Sequence, residues 1–412
     1  MSGDRAGAVA RFLAQPVLAR LLSALDGDGE ETRVVGGAVR NLLLGEPASD
    51  IDLATTALPQ ETMRRGRAAG FKAVPTGIEH GTVTLVAEDE SFEVTTLRRD
   101  VETDGRRAKV VFGRDFAADA LRRDFTINAL GLSRDGTLHD YCGGLDDLAR
   151  RRVRFIGDGA TRIREDYLRI LRFFRFHARY GVGEPDTDGL RACIAGREGL
   201  AGLSRERVRA ELLKLLVAPG VVATIGAMAG AGLIMPVIGG VPHLSRFAAI
   251  AGDDGKGVHP AFRLAALAVS VGEDALRLRE RLRLSNEEFD RIERIARALE
   301  GLGGRADLPG IAALRHLGHD AGNDAVAAAL VLLKASAGGE DRDCVQQLIA
   351  ELGRTPPFLL TGKDVVARGI APGPRVGQAL EAARRGWIEA GCPVSAEAQF
   401  ALLDAAVGQA RP

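Results

Sequence analysis

Apolar and polar residues follow different patterns in the two parts of the chain. Up to about residue 155, short apolar segments typical of β-strands alternate with helical segments. The predicted strands are Arg33–Val35, Ile51–Ala54, Thr82–Val86 and Phe92–Leu97. From about Thr161 onward, nearly every segment repeats its apolar positions with the period of an α-helix. The pattern predicts a head of strands and helices followed by an all-helical remainder.

The helical part contains a strong helix-start signal and one ambiguous apolar stretch. Ser285–Glu288 (SNEE) is a capping box, and the helix after it has Phe289, Ile292, Ile295 and Ala296 on one stripe. Residues 215–242 carry no charge and are long enough to span a bilayer. Prolines and glycines interrupt them, so we expect a short buried helix around Ala223–Ala229, stopped near Gly232 and followed by a proline turn.

Composition narrows the class of protein. The 412 residues suffice for two to four domains, and the formal net charge is zero. The region Arg98–Arg179 nevertheless has 19 basic and 13 acidic residues, a local basic patch that could attract an anion. The four cysteines form no Cys-x-x-Cys pair, which indicates reduced thiols rather than disulfides or a zinc site. No signal peptide is evident, so we expect a cytoplasmic protein with no membrane span.

The first candidate site lies in TRVVGGAVRNLLLGEPASDIDLAT, residues 32–55. A strand ending at Val35, a turn at Gly36 and Gly37, a short helix over Ala38–Leu44 and a second strand make a phosphate-binding layout. The second strand carries Asp50 and Asp52, which would share one face of it.

Two carboxylates side by side repel each other, so their pairing needs an explanation. Divalent cations would cancel the repulsion between Asp50 and Asp52 and polarise the attacking and leaving oxygens of a phosphoryl transfer. Mg²⁺ suits such a site, because it prefers oxygen ligands that it shares with substrate phosphates. The alternative is an acidic loop or strand edge without a metal.

Glu93 is a third candidate carboxylate. It lies between Phe92 and Val94 and therefore faces away from these apolar neighbours on its strand. It could complete the metal site or act as a catalytic base, and it could equally be a solvated strand residue.

Several motifs occur in one order along the chain. They are GGAVR (36–40), SDIDLAT (49–55), RRDFTINAL (122–130), DYCGGLDDL (140–148), REDYLRILRFFRF (164–176) and LSRERVRAEL (203–212). As a set they resemble the class II tRNA nucleotidyltransferase and bacterial poly(A) polymerase family. The resemblance covers about residues 30–215 and thins beyond them.

The resemblance implies a fold, a domain order and partners. The fold would be an α+β head with a polymerase-β-like nucleotidyltransferase sheet, followed by an all-α neck, body and tail. We place the catalytic head at residues 1–155, the neck with base recognition at 156–245, and a tRNA-binding body and tail at 246–412. The expected partners are the tRNA 3′ end and the substrates CTP and ATP, with Mg²⁺ as cofactor and no obligate protein partner.

The resemblance also assigns nucleotide contacts. Arg122 and Arg123 would neutralise phosphates and Asp124 would accept from ribose hydroxyls, although Asp124 could also be a helix N-cap. The full predicted nucleotide-binding set is Gly36, Gly37, Arg40, Arg122, Arg123, Asp124, Asn128, Asp166, Arg169 and Arg172.

In that set, Asp166 and Arg169 would serve as a protein template for the incoming base. Three residues apart, they would project from one face of a single amphipathic helix. A carboxylate accepts from the exocyclic amine of C or A, and a guanidinium donates to ring acceptors, a pattern that does not fit U or G. The alternative is an intrahelical salt bridge on a solvated face.

A charged segment between Leu97 and Leu121 has few packing residues and is expected to be a surface loop. In the family, this position carries a flexible loop associated with adding the final A after two Cs. The resemblance therefore implies complete CCA addition. The alternatives are a poly(A) polymerase of the same family, disfavoured because those proteins generally end in a strongly basic extension, and a catalytically inactive RNA-binding protein.

Overall fold

The structure is a computed structural model that describes residues 3–48, 50–104, 107–251, 258–303, 308–337 and 342–410. The chain forms two compact units, Met1–Leu203 and Ser204–Pro412. The first unit mixes strands and helices and the described part of the second is helical, as the sequence predicts. The boundaries at residues 155 and 245 stay predictions.

The strands of the first unit form one seven-stranded sheet and a separate hairpin. They are β1 Thr32–Val35, β2 Ile51–Thr55, β3 Lys72–Gly77, β4 Thr82–Ala87, β5 Glu90–Thr96, β6 Arg98–Asp104, β7 Arg107–Phe112, β8 Gly131–Ser133 and β9 Leu138–His139. The large sheet has the order β3-β4-β5-β2-β1-β8-β9, and β6 pairs with β7. Within the large sheet β2 and β5 run parallel, and the other neighbouring strands run antiparallel.

Nine α-helices belong to the described part of the first unit. They are α1 Gly3–Leu13, α2 Pro16–Leu25, α3 Gly37–Leu44, α4 Pro59–Ala68, α5 Phe116–Leu121, α6 Gly144–Ala149, α7 Gly159–Glu165, α8 Leu168–Tyr180 and α9 Thr187–Ala195. Three-residue 3-10 turns form at Ile78–His80 and Thr126–Asn128, and a longer one at Arg197–Gly202.

One face of the sheet is covered tightly by α4. A Cβ added at Gly66 of α4 would lie 2.7 Å from a methyl carbon of Leu85 on β4, so a larger residue would require Leu85 to move. Phe71, just after α4, meets Phe92 of β5 edge to face with ring centroids 6.4 Å apart. Because Phe92 faces this core, its neighbour Glu93 faces the opposite side of the sheet.

An aromatic cluster joins the end of the sheet region to α8. Phe125 and Phe155 contact each other at 5.0 Å, and Phe155 stacks on Phe173 of α8 at 5.4 Å between centroids. Phe176, one turn further along α8, lies 5.2 Å from Phe125. These side chains are buried, so they fix α8 against the segment around Phe125.

Thirteen α-helices make up the described part of the second unit. They are α10 Arg205–Leu216, α11 Val221–Gly230, α12 Ile234–Ile238, α13 Leu244–Ala251, α14 Pro260–Ala268, α15 Gly272–Leu282, α16 Asn286–Leu302, α17 Ile311–Ala321, α18 Asn323–Ala337, α19 Arg342–Gly353, α20 Gly362–Val366, α21 Pro374–Glu389 and α22 Ala396–Ala410. The predicted capping box opens α16, and the predicted stripe on it is buried.

The uncharged stretch 215–242 is helical, but not in the predicted way at its end. The helix expected around residues 223–229 is α11, whereas Pro236 lies inside the short helix α12 rather than in a turn. Proline is tolerated there because the first turn of a helix leaves its N–H groups unpaired. Within the described residues, no single helix has the length and apolar character to cross a membrane; the bent pair Arg5–Leu13 and Pro16–Leu25 passes on length and composition alone.

The segment between Leu97 and Leu121 is more ordered than expected. It contains β6, β7 and α5, where a surface loop was predicted. Phe116 opens α5 and packs against Val35, Ala54 and Leu97, so the loop prediction is wrong at that end. The hydrophobic pattern of the sequence does not distinguish Phe116, which anchors α5, from the exposed residues around it. The side chains of residues 99–110 lie outside the described part of the structure.

The aromatic cluster makes the stability of the first unit depend on Phe173, which is fully buried. Replacing Phe173 by Ala should lower the free energy of unfolding by about 3–5 kcal/mol, as truncation of a buried aromatic residue usually does. Urea denaturation measures the loss. Val182→Ala is the control, because Val182 is 73% exposed and should change stability by less than about 0.5 kcal/mol. A loss below about 1 kcal/mol for Phe173→Ala would contradict this packing.

Candidate functional site

Strands β5, β2, β1 and β8 bring four backbone positions side by side near one end of the large sheet. Val35, the last residue of β1, pairs with Asp52 of β2 on one side and with Gly131 of β8 on the other. Asp52 in turn pairs with Glu93 of the parallel strand β5. The chain segments that carry Gly36, Asp52 and Glu93 therefore lie side by side.

The glycine turn joins β1 to α3 as predicted. Gly36 has φ 75° and ψ −131°, a conformation that only glycine adopts without strain, and its N–H donates to Leu130 O at 3.0 Å. Gly37 begins α3, an eight-residue helix that ends at Gly45 in the left-handed conformation. The helix N-terminus and its free N–H groups thus lie beside Asp52, where an anion would be stabilised.

Asp52 and Glu93 are exposed on the open face of the sheet, while Ile51, Leu53 and Phe92 are buried on the other. The strand β2 begins at Ile51, as predicted, and Asp50 is exposed directly before it, so only Asp52 of the two aspartates lies within the strand. Partial desolvation, together with repulsion from Glu93 and Asp50, raises the pKa of Asp52, and Arg123 opposes the shift. Negative charge is therefore concentrated where a cation would relieve it.

The donor set fits Mg²⁺ with substrate oxygens rather than a closed protein cage. Across the described residues, no group of three or more His, Cys, Asp or Glu side chains could hold a metal ion by itself. Mg²⁺ is usually bound by one or two carboxylates plus substrate phosphates and waters, which two aspartates beside a phosphate-binding turn would provide. Glu93 as a third ligand stays a prediction. The four cysteines are free thiols, as predicted.

Arg122 and Arg123 are held by a carboxylate that the sequence analysis missed. Asp119 is buried in α5, and it accepts from Nε of Arg122 at 2.9 Å and from Nη2 of Arg123 at 3.2 Å. A Cβ added at Gly36 would lie 2.9 Å from Nη1 of Arg123, so this guanidinium covers the glycine turn. Asp119 lies three residues before Arg122 and four before Arg123, the spacings at which helical side chains meet. This spacing could have identified Asp119 as their partner.

The carboxylate of Asp124 is surrounded by protein donors. Its Oδ1 accepts from Phe125 N at 2.8 Å and Asn128 Nδ2 at 3.0 Å, and its Oδ2 accepts from Nε and Nη2 of Arg172 at 2.8 and 2.5 Å. Burial disfavours its charged form, but Arg172 and the hydrogen bonds still hold the pKa of Asp124 below its ordinary value. The four donors use the acceptor positions of a carboxylate, so a ribose hydroxyl would have to replace one of them.

Asp124 does not cap a helix in the predicted way. The 3-10 turn Thr126–Asn128 begins after Phe125, and no side chain caps it. The N-cap alternative for Asp124 is therefore wrong. Its carboxylate is held by Arg172 instead of by N–H groups of a first helical turn.

Arg40 is buried between α3 and α8, with 6% of its surface exposed. Its Nη2 donates to the hydroxyl of Tyr180 at 2.7 Å and to Oδ1 of Asn41 at 2.9 Å, and its Nη1 donates to Oδ1 of Asn128. Burial lowers the pKa of Arg40, although Tyr180 opposes the shift. The sequence did not indicate that Tyr180 would contact Arg40, because 140 residues separate the two.

These contacts make a closed arrangement that we name the polar ring. Arg40 contacts Asn128, Asn128 contacts Asp124, and Asp124 contacts Arg172 of α8. The same helix carries Tyr180, which contacts Arg40. The polar ring is thus defined as Arg40, Asn128, Asp124, Arg172 and Tyr180. It brings five residues from three separate chain segments together, four of them predicted as nucleotide-binding.

The predicted single helix through Asp166 and Arg169 is wrong. The segment forms two helices, because α7 ends at Glu165 and Asp166 is extended, with φ −158° and ψ 106°. The carboxylate of Asp166 accepts from Leu168 N at 3.1 Å, and its carbonyl accepts from Arg169 N at 3.0 Å. Aspartate favours such a helix start, because its side chain bonds the backbone two residues on.

Arg169 has a defined ion-pair partner, Glu165, at 2.5 Å, and it also donates to Arg162 O at 3.0 Å. Glu165 lies between two arginines, since Arg162 binds it at 2.9 Å. The ion pair of Arg169 is therefore made with Glu165 rather than with Asp166, the partner in the predicted salt-bridge alternative. Asp166 and Arg169 still lie at the same end of α8.

Comparison with known proteins gives the chain a family. Residues 32–154 match the family described as the "Poly A polymerase head domain". A "CCA tRNA nucleotidyltransferase 1, mitochondrial" of Mus musculus is 38% identical over 375 residues, 88% of this chain and 84% of that protein. A "CCA-adding enzyme" of Limosilactobacillus fermentum is 34% identical over 389 residues, 89% of this chain and 90% of that protein. Because the mouse protein's name says mitochondrial, the cytoplasmic location stays a prediction.

A solved structure agrees over nearly the full length of both chains. The crystal structure of the Bacillus stearothermophilus CCA-adding enzyme in complex with CTP superposes with a TM-score of 0.71, at 28% identity, and covers 95% of this chain and 97% of that one. The α+β head and the helical remainder are the fold of that enzyme. The chain belongs to the family of CCA-adding enzymes, the CCA tRNA nucleotidyltransferases.

Proposed function

We propose that this protein adds C, C and A to tRNA 3′ ends from CTP and ATP without a nucleic-acid template. The observation that carries the proposal is the sheet edge where Asp52 and Glu93 pair side by side next to the glycine turn. The relatives that match most of the chain are CCA-adding enzymes, which favours CCA addition over poly(A) synthesis. Asp50 and Asp52, the carboxylates that metal-dependent nucleotidyl transfer requires, are both present. Their presence disfavours an inactive RNA-binding protein.

The chemical step is a nucleotidyl transfer. The 3′-hydroxyl oxygen of the RNA forms a bond to the α-phosphorus of the nucleotide, the bond from that phosphorus to the bridging oxygen breaks, and pyrophosphate leaves. The hydroxyl loses its proton as it attacks, and Glu93, beside Asp52 on the open face, is the candidate acceptor. The N–H groups at the start of α3 and the guanidiniums of Arg122 and Arg123 would hold the triphosphate.

Asp50 and Asp52 are the proposed ligands of Mg²⁺. Bound there, Mg²⁺ would neutralise the charge that develops on the phosphate oxygens and lower the pKa of the attacking hydroxyl. Burial, with repulsion from Glu93 and Asp50, raises the pKa of Asp52, and a bound cation would favour its charged form.

Base selection is the proposed role of the start of α8. Asp166 would accept from the exocyclic amine of C or A, and Arg169 would donate to a ring acceptor. Arg169 would have to exchange its bond to Glu165 or share it. The ribose would contact a group of side chains that already bond one another, namely Asp124, Asn128 and Arg172, rather than three independent ligands.

The activity is tested by sizing products. A tRNA that lacks its CCA end is incubated with the protein and Mg²⁺, and CTP and ATP are supplied separately and together. The proposal expects two residues added with CTP alone, no addition with ATP alone, and three residues with both. A long oligo(A) product with ATP alone would indicate a poly(A) polymerase, and no product at all would indicate an inactive head.

Replacing Asp52 by Asn should abolish addition and raise thermal stability. The raised pKa means that Asp52 stabilises the fold only at low pH, and that this contribution is lost as the pH rises through the raised value. Without metal, the midpoint of Asp52→Asn should therefore exceed that of the wild type at neutral and higher pH, and the gain should shrink as the pH falls through the raised pKa of Asp52. Melting curves at several pH values and single-turnover assays measure both effects.

Asp50→Ala serves as the companion variant, because it removes the other proposed ligand and should also be inactive while folded. Near-normal turnover in both variants would sink the metal assignment. An Asp52→Asn protein less stable than the wild type at pH 8 would contradict the repulsion between the carboxylates.

Replacing Asp166 by Ala should reduce discrimination against UTP and GTP by roughly 5- to 150-fold, the range expected when one good side-chain–base pair worth about 1–3 kcal/mol is lost. Kinetics with all four nucleotides measure the change, and metal-dependent chemistry should persist. Arg164→Ala is the control, because Arg164 is a neighbouring exposed arginine bonded to Thr161. If selectivity stays unaltered and only thermal stability falls, Asp166 is a helix cap and no template.

Shortening the hairpin within residues 100–110 should leave the addition of two Cs intact and impair the final A. The deletion must stop before Phe116, because that side chain belongs to the core around Val35. Denaturing gels that resolve the CC and CCA products measure the ratio, and a glycine-serine replacement of equal length controls for chain closure. Equal loss of both steps would refute a specific role in A addition.

A further inference from the structure

The guanidinium of Arg40 is buried and bonded to protein groups, whereas a phosphate ligand would have to be accessible to the nucleotide. Its surface is 6% exposed, whereas the side chains of Arg122 and Arg123 are 31% and 24% exposed. Its Nε and Nη2 donate to Asn41, and its other bonds go to Tyr180 and Asn128. The guanidinium carbon Cζ also lies 4.1 Å from the ring centroid of Tyr180.

The glycine turn is covered by a different arginine. Nη1 of Arg123 is the group that a Cβ at Gly36 would meet. Nη2 of Arg40 instead lies 3.3 Å from the position of a Cβ at Gly37, on the inner side of α3 where its partners Tyr180 and Asn128 are buried. Arg123 is therefore the cation placed over the turn, and Arg40 lies beneath it.

We propose that Arg40 is a positioning residue that fixes α3 against α8 through Tyr180 and makes no contact with substrate phosphates. The inference rests on the proposed function, in which α3 begins at the phosphate-binding turn and α8 begins at the base-recognising residues. Arg40 then sets the spacing between the two ends of one bound nucleotide.

The polar ring explains how a contact at one end of α8 controls the other. Tyr180 and Arg172 are eight residues apart on α8, which is about 12 Å along the helix axis. Arg172 is held by Asp124, and Asp124 returns to Arg40 through Asn128. With both positions fixed, α8 cannot slide or tilt relative to α3. One bound nucleotide has to meet both helix ends at once, so a change in their spacing would weaken nucleotide binding.

Two variants test the contact between Arg40 and Tyr180, one at each residue. Tyr180→Phe removes only the hydroxyl that accepts from Arg40 and keeps the ring that packs on the guanidinium. Arg40→Lys keeps the positive charge but loses the planar group that reaches three partners at once. If Arg40 were instead a phosphate ligand, Tyr180→Phe would leave its guanidinium in place, whereas Arg40→Lys would replace a two-point contact with phosphate by a single-point one.

Binding of CTP and CMP by calorimetry, without metal, separates the two roles. If Arg40 positions α3 and α8, Tyr180→Phe and Arg40→Lys should weaken CTP binding by similar factors and CMP binding less, because only the triphosphate spans both ends of the site. In steady-state assays both should raise KM for CTP and ATP several-fold with little change in kcat, and both should incorporate more UTP. A merely structural contact would lower the melting midpoint and leave these quantities unchanged.

Tyr141→Phe is the matched control, because the hydroxyl of Tyr141 accepts from Arg33 at 2.8 Å in a similar pair outside the polar ring. It should behave as the wild type in every assay. The proposal is overturned if Arg40→Lys lowers the CTP-to-CMP ratio while Tyr180→Phe is normal, or if both variants lose only stability. An inactive wild type would refute the proposed function instead, so the two failures are distinguishable.

Discussion

The ion pair of Asp124 and Arg172 is the interaction on which the nucleotide-binding part of the first unit depends. Asp124 is buried and the side chain of Arg172 is 31% exposed, so loss of Arg172 would leave a largely buried carboxylate without its cation. The pair links the turn after α5 to the middle of α8, and through Asn128 and Arg40 it reaches the helix of the glycine turn. Side chains from three segments are thereby fixed together before any nucleotide arrives, which is the preorganisation that phosphoryl transfer requires.

The local features of this arrangement could be predicted from the sequence. Gly36 and Gly37 between an apolar run and a short helix indicated the turn, and Glu93 between two apolar residues indicated its exposed face. Ser285 with Glu288 indicated the start of α16. In each case the signal and the structure lie within a few residues, so backbone preference and side-chain alternation suffice.

Contacts between distant segments could not be predicted in the same way. Tyr180 is one of nine buried residues on α8, and only the fold shows that its hydroxyl meets Arg40. The break at Asp166 was hidden because the apolar stripe of α7 and α8 continues across it, so periodicity suggested one helix. Phe116 similarly shows its role only when β1 and β2 bring Val35 and Ala54 beneath it. The resemblance to a family supplied a role for Asp166 but not its contacts, and it supplied no role for Tyr180 or Phe116.

A crystal structure of the protein with CTP and Mg²⁺ tests the central claim most directly. The account predicts carboxylate oxygens of Asp50 and Asp52 about 2.1 Å from Mg²⁺. It also predicts the triphosphate between the start of α3 and Arg123, the cytosine at Asp166 and Arg169, and the polar ring intact beneath them. A nucleotide bound elsewhere, or a phosphate oxygen on Arg40 with its bond to Tyr180 broken, would contradict it.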